Sequence, residues 1–227
     1  MGRVPIPRHQ IRNSVIMIAL LTGMLAISGC GPTIGWALSK LPPPIPAKYA
    51  SLKGQSVAVM VWADRGIRVD FPHIQLDTAN GIQAKLINAS KDFKDELKDT
   101  RFPVRAASAA RLQEEHPEWA ADNIEEIAPR LKVSRLIYVE IGGFQTRPDS
   151  AVDLFRGTVT ATVRVVEVTN GKARVVYTEE NVRTVYPEKS AEEGVPGIGD
   201  FETYRQTVNE FTSSVANLFH ARPAPDE

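Results

Sequence analysis

Cysteine is almost missing from this chain: 227 residues contain one, Cys30. A lone thiol forms no intramolecular disulfide, so a folded domain here relies on its apolar core alone. Histidine is scarce as well, with His73, His116 and His220 far apart beyond the N-terminal segment. No His-x-x-x-His pair and no Cys/His cluster exists, which excludes the usual zinc patterns. The Gly-x-Ser-x-Gly elbow is absent, and so is a phosphate loop ending in Gly-Lys-Ser/Thr. No apolar run reaches the roughly 20 residues that span a bilayer. An excess of positive charge is missing too: 27 Lys and Arg face 27 Asp and Glu. Without a basic field, nucleic acid is not an expected partner. Glu114-Glu115 and Glu125-Glu126 are adjacent pairs, which on a helix point about 100° apart and do not converge on a substrate. Neither a catalytic set, a metal nor a cofactor is expected.

What is present begins at the N-terminus. Arg3, Arg8 and Arg12 precede Val15–Ile27, a continuous apolar stretch, and Leu25-Ala26-Ile27-Ser28-Gly29-Cys30 follows. A basic segment, a short apolar segment and small residues before a break are the parts of a secretory signal. The hexapeptide ending in Cys30 resembles the lipobox of bacterial lipoproteins. That resemblance implies a signal peptide over 1–29, cleavage before Cys30, and a diacylglyceryl thioether with further acylation (palmitate) on Cys30. Two or three chains anchor a protein stably where one does so only marginally. Gly31 stands where an aspartate favours inner-membrane retention in enteric bacteria, so the outer membrane is favoured over the inner. Loss of three arginines with the signal leaves a mature chain with a small negative balance.

Residues 30–55 read as a lipidated N-terminus and tether, with Leu41-Pro-Pro-Pro-Ile-Pro46 suited to extended polyproline II. Trp36 and Leu38 either rest in the membrane interface or pack on the domain. A single globular domain is expected over 56–220, with a disordered tail over 221–227.

Within the domain, Ser56–Ala63 is a valine-rich run suited to a strand buried on both faces. Asp64-Arg65-Gly66 breaks it, and the stretch to Leu76 reads as irregular. Asp77 is placed to cap a helix running to about Leu97, on the stripe Ala79, Ile82, Leu86, Ala89, Phe93 and Leu97. Phe102–Ala107 reads as a short strand and Asp122–Leu131 as a helix, its last turn tightened by Pro129. Arg135–Phe144 is a further strand. Phe155–Val168 alternates valine or alanine with threonine and arginine, leaving one wet face. Asn170-Gly171 marks a hairpin whose return strand is Lys172–Tyr186. A last helix, Phe201–Phe219, buries Phe201, Tyr204, Val208, Phe211 and Val215. The expected fold is α+β: a mixed sheet of about five strands with three main helices, as a two- or three-layer sandwich.

The valine-rich first strand, the helix pair, Leu131–Glu140 and Val163–Lys172 with its turn Thr169-Asn170-Gly171-Lys172 resemble a periplasmic domain family. Its members include CsgG, LpoB and the amino-terminal domain of TolB. The stretch Asp64–Leu76 departs from that family in lacking a Phe-Asn-Asn-like segment. The resemblance implies docking or assembly instead of catalysis.

The functional expectation is a lipid-anchored, periplasm-facing envelope protein that binds an envelope protein partner or itself. An oligomeric export component without its own pore is the alternative; a glycan-binding protein or hydrolase using Asp64 and Asp70 is a third. Ligand sites in mixed sheets gather at the carboxyl ends of strands. The charged stretch after the first strand, Asp64, Arg65, Arg68 and Asp70, is therefore the candidate interaction loop.

Overall fold

A computed structural model describes residues 43–116, 124–148 and 152–224. The signal segment, Cys30, Trp36, Leu38, Trp119, Asp122 and the final residues of the tail lie outside the described residues. Pro44–Arg222 forms one compact unit.

A single four-stranded mixed sheet, in the order β1-β2-β3-β4, runs through this unit. Its strands are β1 (Val57–Ala63), β2 (Arg135–Gln145), β3 (Gly157–Thr169) and β4 (Lys172–Tyr186). β1 pairs parallel to β2, with Val57 opposite Arg135 and Ala63 opposite Ile141. β2–β3 and β3–β4 are antiparallel. The helices are α1 (Arg65–Asp70), α2 (Ile74–Asp92), the short α3 (Lys94–Leu97), α4 (Ala106–Glu115), α5 (Ile124–Ile127) and α6 (Asp200–Ala216). A 3₁₀ turn, Ala128–Leu131, with Pro129 in its first positions, continues α5.

Alternation along β1 and β2 divides the core in two. Val57, Val59, Val61, Ile137, Val139 and Ile141 join Ile82 and Leu86 of α2 and Phe211 and Val215 of α6 on one face. Ala58, Met60, Leu136 and Tyr138 meet Ala109 of α4 with Ile127 and Leu131 on the other. Burial on both faces is what a continuous apolar strand requires. The architecture is α+β in three layers.

Five expectations are corrected, the fifth at Phe201 below. The fifth strand, Phe102–Ala107, does not form. Only Arg101 bridges to Ser56; Pro103 lacks the N–H a ladder needs, and Ala106 onward, rich in alanine, goes into α4. The stretch after β1 is not irregular. Asp64 Oδ1 accepts a hydrogen bond from Ile67 N at 2.9 Å and caps α1, as aspartate does at helix starts. The long helix begins at Ile74, whose side chain is fully buried. Asp77 therefore sits in its first turn, and the helix breaks at Phe93 before α3. Finally, the ordered unit takes in residues 44–55, assigned above to the tether. Leu52 is fully buried, Tyr49 N donates to Leu218 O at 2.9 Å, and Ile45 pairs with Arg222 across the start of the expected tail.

Two glycines let α6 come close. A Cβ on Gly157 in β3 would lie 1.7 Å from Thr207 Oγ1, and one on Gly81 in α2 would lie 2.7 Å from Thr212 Cγ2. Thr203, Thr207 and Thr212 are buried against these surfaces. Their hydroxyls donate back to helix carbonyls of Gly199, Thr203 and Asn209. The buried face of α6 is consequently rotated toward its threonines, and Phe201 is 77% exposed where the sequence placed it in the core.

Candidate functional site

The carboxyl ends of the parallel strands β1 and β2 lie at the same end of the sheet, and α1 follows β1 there directly. Two concavities open beside this helix, and Pro72 and His73 line both.

One is an apolar groove of about 320 Å³ lined by Phe71, Pro72, Phe201 and Tyr204, with Asp70, Asp77 and Asp200 around it. Its base is an aromatic cluster. Phe71 stands edge-on to Phe144 at 4.6 Å and stacks parallel to Tyr204 at 5.8 Å; Phe144 and Tyr204 are 5.6 Å apart. Such pairs are worth about 0.5–1.5 kcal/mol beyond area burial. Tyr204 Oη donates to Asp77 Oδ2 at 2.7 Å, and burial with this bond pushes the phenol well above its ordinary pKa. It stays a neutral donor. Asp200 is clasped by Arg147 on the β2–β3 loop, and Thr146 Oγ1 donates to it at 2.9 Å. The guanidinium holds this carboxyl below its usual range, with the hydroxyl adding to the effect against burial. The acidic residues lining the groove are Asp70, Asp77 and the Arg147-paired Asp200.

The other concavity is a polar cleft of about 530 Å³ between α1, α2 and α4, lined by Trp62, Arg68, Gln75, Arg111, Gln113 and His116 among others. Gln75 Nε2 donates to Val61 O at 2.8 Å and to Gln113 Oε1 at 3.3 Å.

The four residues of the candidate loop are thus split. Asp64 is occupied as the cap of α1. Arg65 is exposed and lines neither concavity. Arg68 turns into the polar cleft and Asp70 into the apolar groove. Asp64 and Asp70 do not line a common site. The sequence reading missed Phe71, Phe201, Tyr204, Trp62 and Gln113. Aromatic residues in amphipathic stripes read as core, and a lone glutamine in an alanine-rich helix carries no signal.

Among the described residues, no group of three or more His, Cys, Asp or Glu is arranged to hold a metal ion. No helix among them is long and apolar enough to cross a membrane.

No protein-family model matches this chain, and no curated protein matches it; the family resemblance rests on the sequence alone. Solved structures overlap it loosely. A point variant of the PelC dodecamer from Paraburkholderia phytofirmans is 14% identical, with 80% of this chain and 96% of that one covered and a TM-score of 0.38. The lipoprotein GNA1162 from Neisseria meningitidis is 14% identical over 71% of this chain and 95% of that one, TM-score 0.38. The hypothetical protein CT253 from Chlamydia trachomatis is 13% identical over 73% and 98%, TM-score 0.38. At these scores the overlaps transfer neither family nor function.

Proposed function

We propose that this chain is a lipoprotein of the bacterial cell envelope, anchored through acylated Cys30, whose folded domain binds another envelope protein without catalysis. The lipobox-like segment before Cys30 supports the anchor, and Gly31 supports the outer membrane over the inner. The observation that carries the docking role is the apolar groove with its acidic surround. Phe201 is a large apolar side chain left 77% exposed at its edge, and Asp70, Asp77 and Asp200 lie beside it. Its occupant is a partner segment presenting an apolar side chain flanked by lysine or arginine. Aromatic anchors in desolvated pockets with complementary charge are how such surfaces bind.

The compact unit starts at Pro44, so the span from Cys30 reaches roughly 50 Å even fully extended. The partner is met close to the anchoring membrane. The test is crosslinking of the native protein in its membrane, followed by mapping of the crosslinked residues by mass spectrometry. Crosslinks from the groove to a basic-apolar segment of one envelope protein are expected; crosslinks that avoid the groove refute it.

A second reading, self-association, is supported by β4. This strand of fifteen residues closes the sheet, and among the described residues no strand pairs with its outer edge. Edges of this kind pair with another chain unless blunted, and the bulge beside Asn181 (φ 56°) limits such pairing to the stretches of β4 on either side of it. Native mass spectrometry of detergent-extracted protein decides it: a monomer at all concentrations removes self-association.

A further inference from the structure

The polar cleft behind α1 is floored by a buried donor that has no acceptor among the described residues. Gln113 is 9% exposed, and its Nε2 has no hydrogen-bond partner among the described residues. The orientation of this amide is dictated by the main chain. Gln75 Nε2 is committed to Val61 O at 2.8 Å, which fixes the Gln75 amide, and its second hydrogen goes to Gln113 Oε1 at 3.3 Å. Flipping Gln113 would set two NH₂ groups against each other. Gln113 Nε2 therefore remains a donor in search of an acceptor, and buried donors of native proteins are nearly always paired.

What surrounds it narrows the acceptor. Arg68 and Arg111 both line the cleft, and neither has a carboxylate partner among the described residues. Among the described residues, the Arg68 side chain keeps only a bond from its Nε to Asp64 O, at 3.4 Å. Glu114 is the single carboxylate in the lining, against two guanidiniums and two imidazoles. Guanidinium presents a planar fork that matches a carboxylate in two parallel bonds. Trp62 adds a half-buried aromatic ring in the lining, an apolar body with one N–H donor. A cleft of about 530 Å³ lies within the range of small-molecule sites.

We infer that this cleft binds an acidic sugar: its carboxylate on Arg68 and Arg111 and its ring lying over Trp62, above the buried Gln113 amide. The site is separate from the apolar groove, and it stands or falls independently of the docking role proposed above.

The experiment is an NMR titration of the full-length chain in detergent, following the Gln113 side-chain amide and the Trp62 indole N–H. Probes are glucuronic acid, an oligomer of galacturonic acid, glucose, acetate, inorganic phosphate and a glutamate-rich peptide. Both resonances are expected to move saturably with glucuronic acid and not with glucose. Arg68→Ala and Arg111→Ala each weaken binding about ten-fold, the loss of one charge-assisted contact. Tighter binding of the oligomer than of the monomer identifies a glycan chain as the source, and equal binding a free sugar. Acetate or phosphate binding as well as glucuronic acid overturns the sugar assignment. So does a stronger response to the acidic peptide, and so does no movement of either resonance at millimolar glucuronic acid.

Discussion

Replacing Phe201 with alanine separates folding from docking. The side chain is 77% exposed, so of the roughly 200 Å² that an aromatic side chain can bury, only about 45 Å² is covered in the free domain. At about 25 cal/mol per Å², that is about 1 kcal/mol of folding stability, or a fall of about 2–4 °C in thermal midpoint for a domain of this size. The uncovered remainder, about 150 Å², is what a partner would bury. It corresponds to about 4 kcal/mol as an upper bound, and to roughly 2–4 kcal/mol after the ordering costs of an interface, the range of aromatic hot spots. Binding should weaken by about thirty-fold or more. The assay places a photo-crosslinkable residue at Val69 on α1, itself 69% exposed, and compares crosslink yield in membranes with and without Phe201→Ala. Ile87→Ala is the control. Ile87 is also an exposed apolar side chain, but it lies about 15 Å along α2 from Asp77. Loss of the crosslink with Phe201→Ala alone is expected. Equal yields in all three proteins, with the thermal midpoints as stated, would refute the groove as the docking surface.

Further outcomes follow from the packing and charge of the same structure. Gly157→Ala puts a methyl 1.7 Å from the buried Thr207 hydroxyl, which is itself committed to Thr203 O at 2.6 Å. Overpacking of this kind costs about 1–3 kcal/mol, so calorimetry should show a midpoint lower by several degrees, partly restored by adding Thr207→Ala; an unchanged midpoint contradicts the α6–β3 contact. Asp200 is held below its ordinary range chiefly by Arg147. A depressed carboxyl contributes stability that is present above its unfolded pKa, about 4, and lost as pH falls through the folded value. The protection of amides in the first turn of α6, taken relative to their intrinsic exchange at each pH, should therefore fall below about pH 4, and Asp200→Asn should remove that dependence. Because the Asp200 side chain is 51% exposed, the change is local and small. Cys30→Ser should yield protein without lipid; an intact mass showing a normal acylated N-terminus in that variant would disprove the anchor.

Fold and site differed in how far the sequence revealed them. Periodicity of two is strong where a strand has one wet face, and β3 was legible for that reason. Asn170-Gly171 was decisive, because both residues adopt positive φ, 52° and 73°, and a two-residue hairpin turn matching strand twist demands that. β4 then starts at Lys172 and ends at Tyr186 as its sequence suggests. Phe102–Ala107 misled because it is short: six residues of mixed pattern leave a single residue, Pro103, to decide. Residues 44–55 misled through their prolines. The segment is anchored by contacts remote in sequence, Tyr49 with Leu218 and Ile45 with Arg222, which no local pattern encodes. Placing the candidate site after β1 followed from strand direction alone. Which of its four charged residues reach a concavity did not, because Asp64 is consumed by the helix it starts.

The residues that define the two concavities share a property that explains why they escaped notice. Phe201 and Gln113 each depart from the pattern of their own helix. Phe201 belongs by spacing to the apolar stripe of α6, yet buried threonines take the inward face and the ring is left outside. Gln113 occupies an inward position on α4 where the neighbouring core residue is Ala109, and it is polar with one donor unmatched. A chain selected for stability alone would place a small or apolar residue at 113 and a polar one at 201. Local rules agree with one another through most of a folded domain, and departures from them concentrate where a surface is used. Both departures lie beside α1, one on each side of Pro72 and His73. The same end of the sheet that strand direction singled out is thus singled out again by the energetics of two side chains remote from each other in sequence.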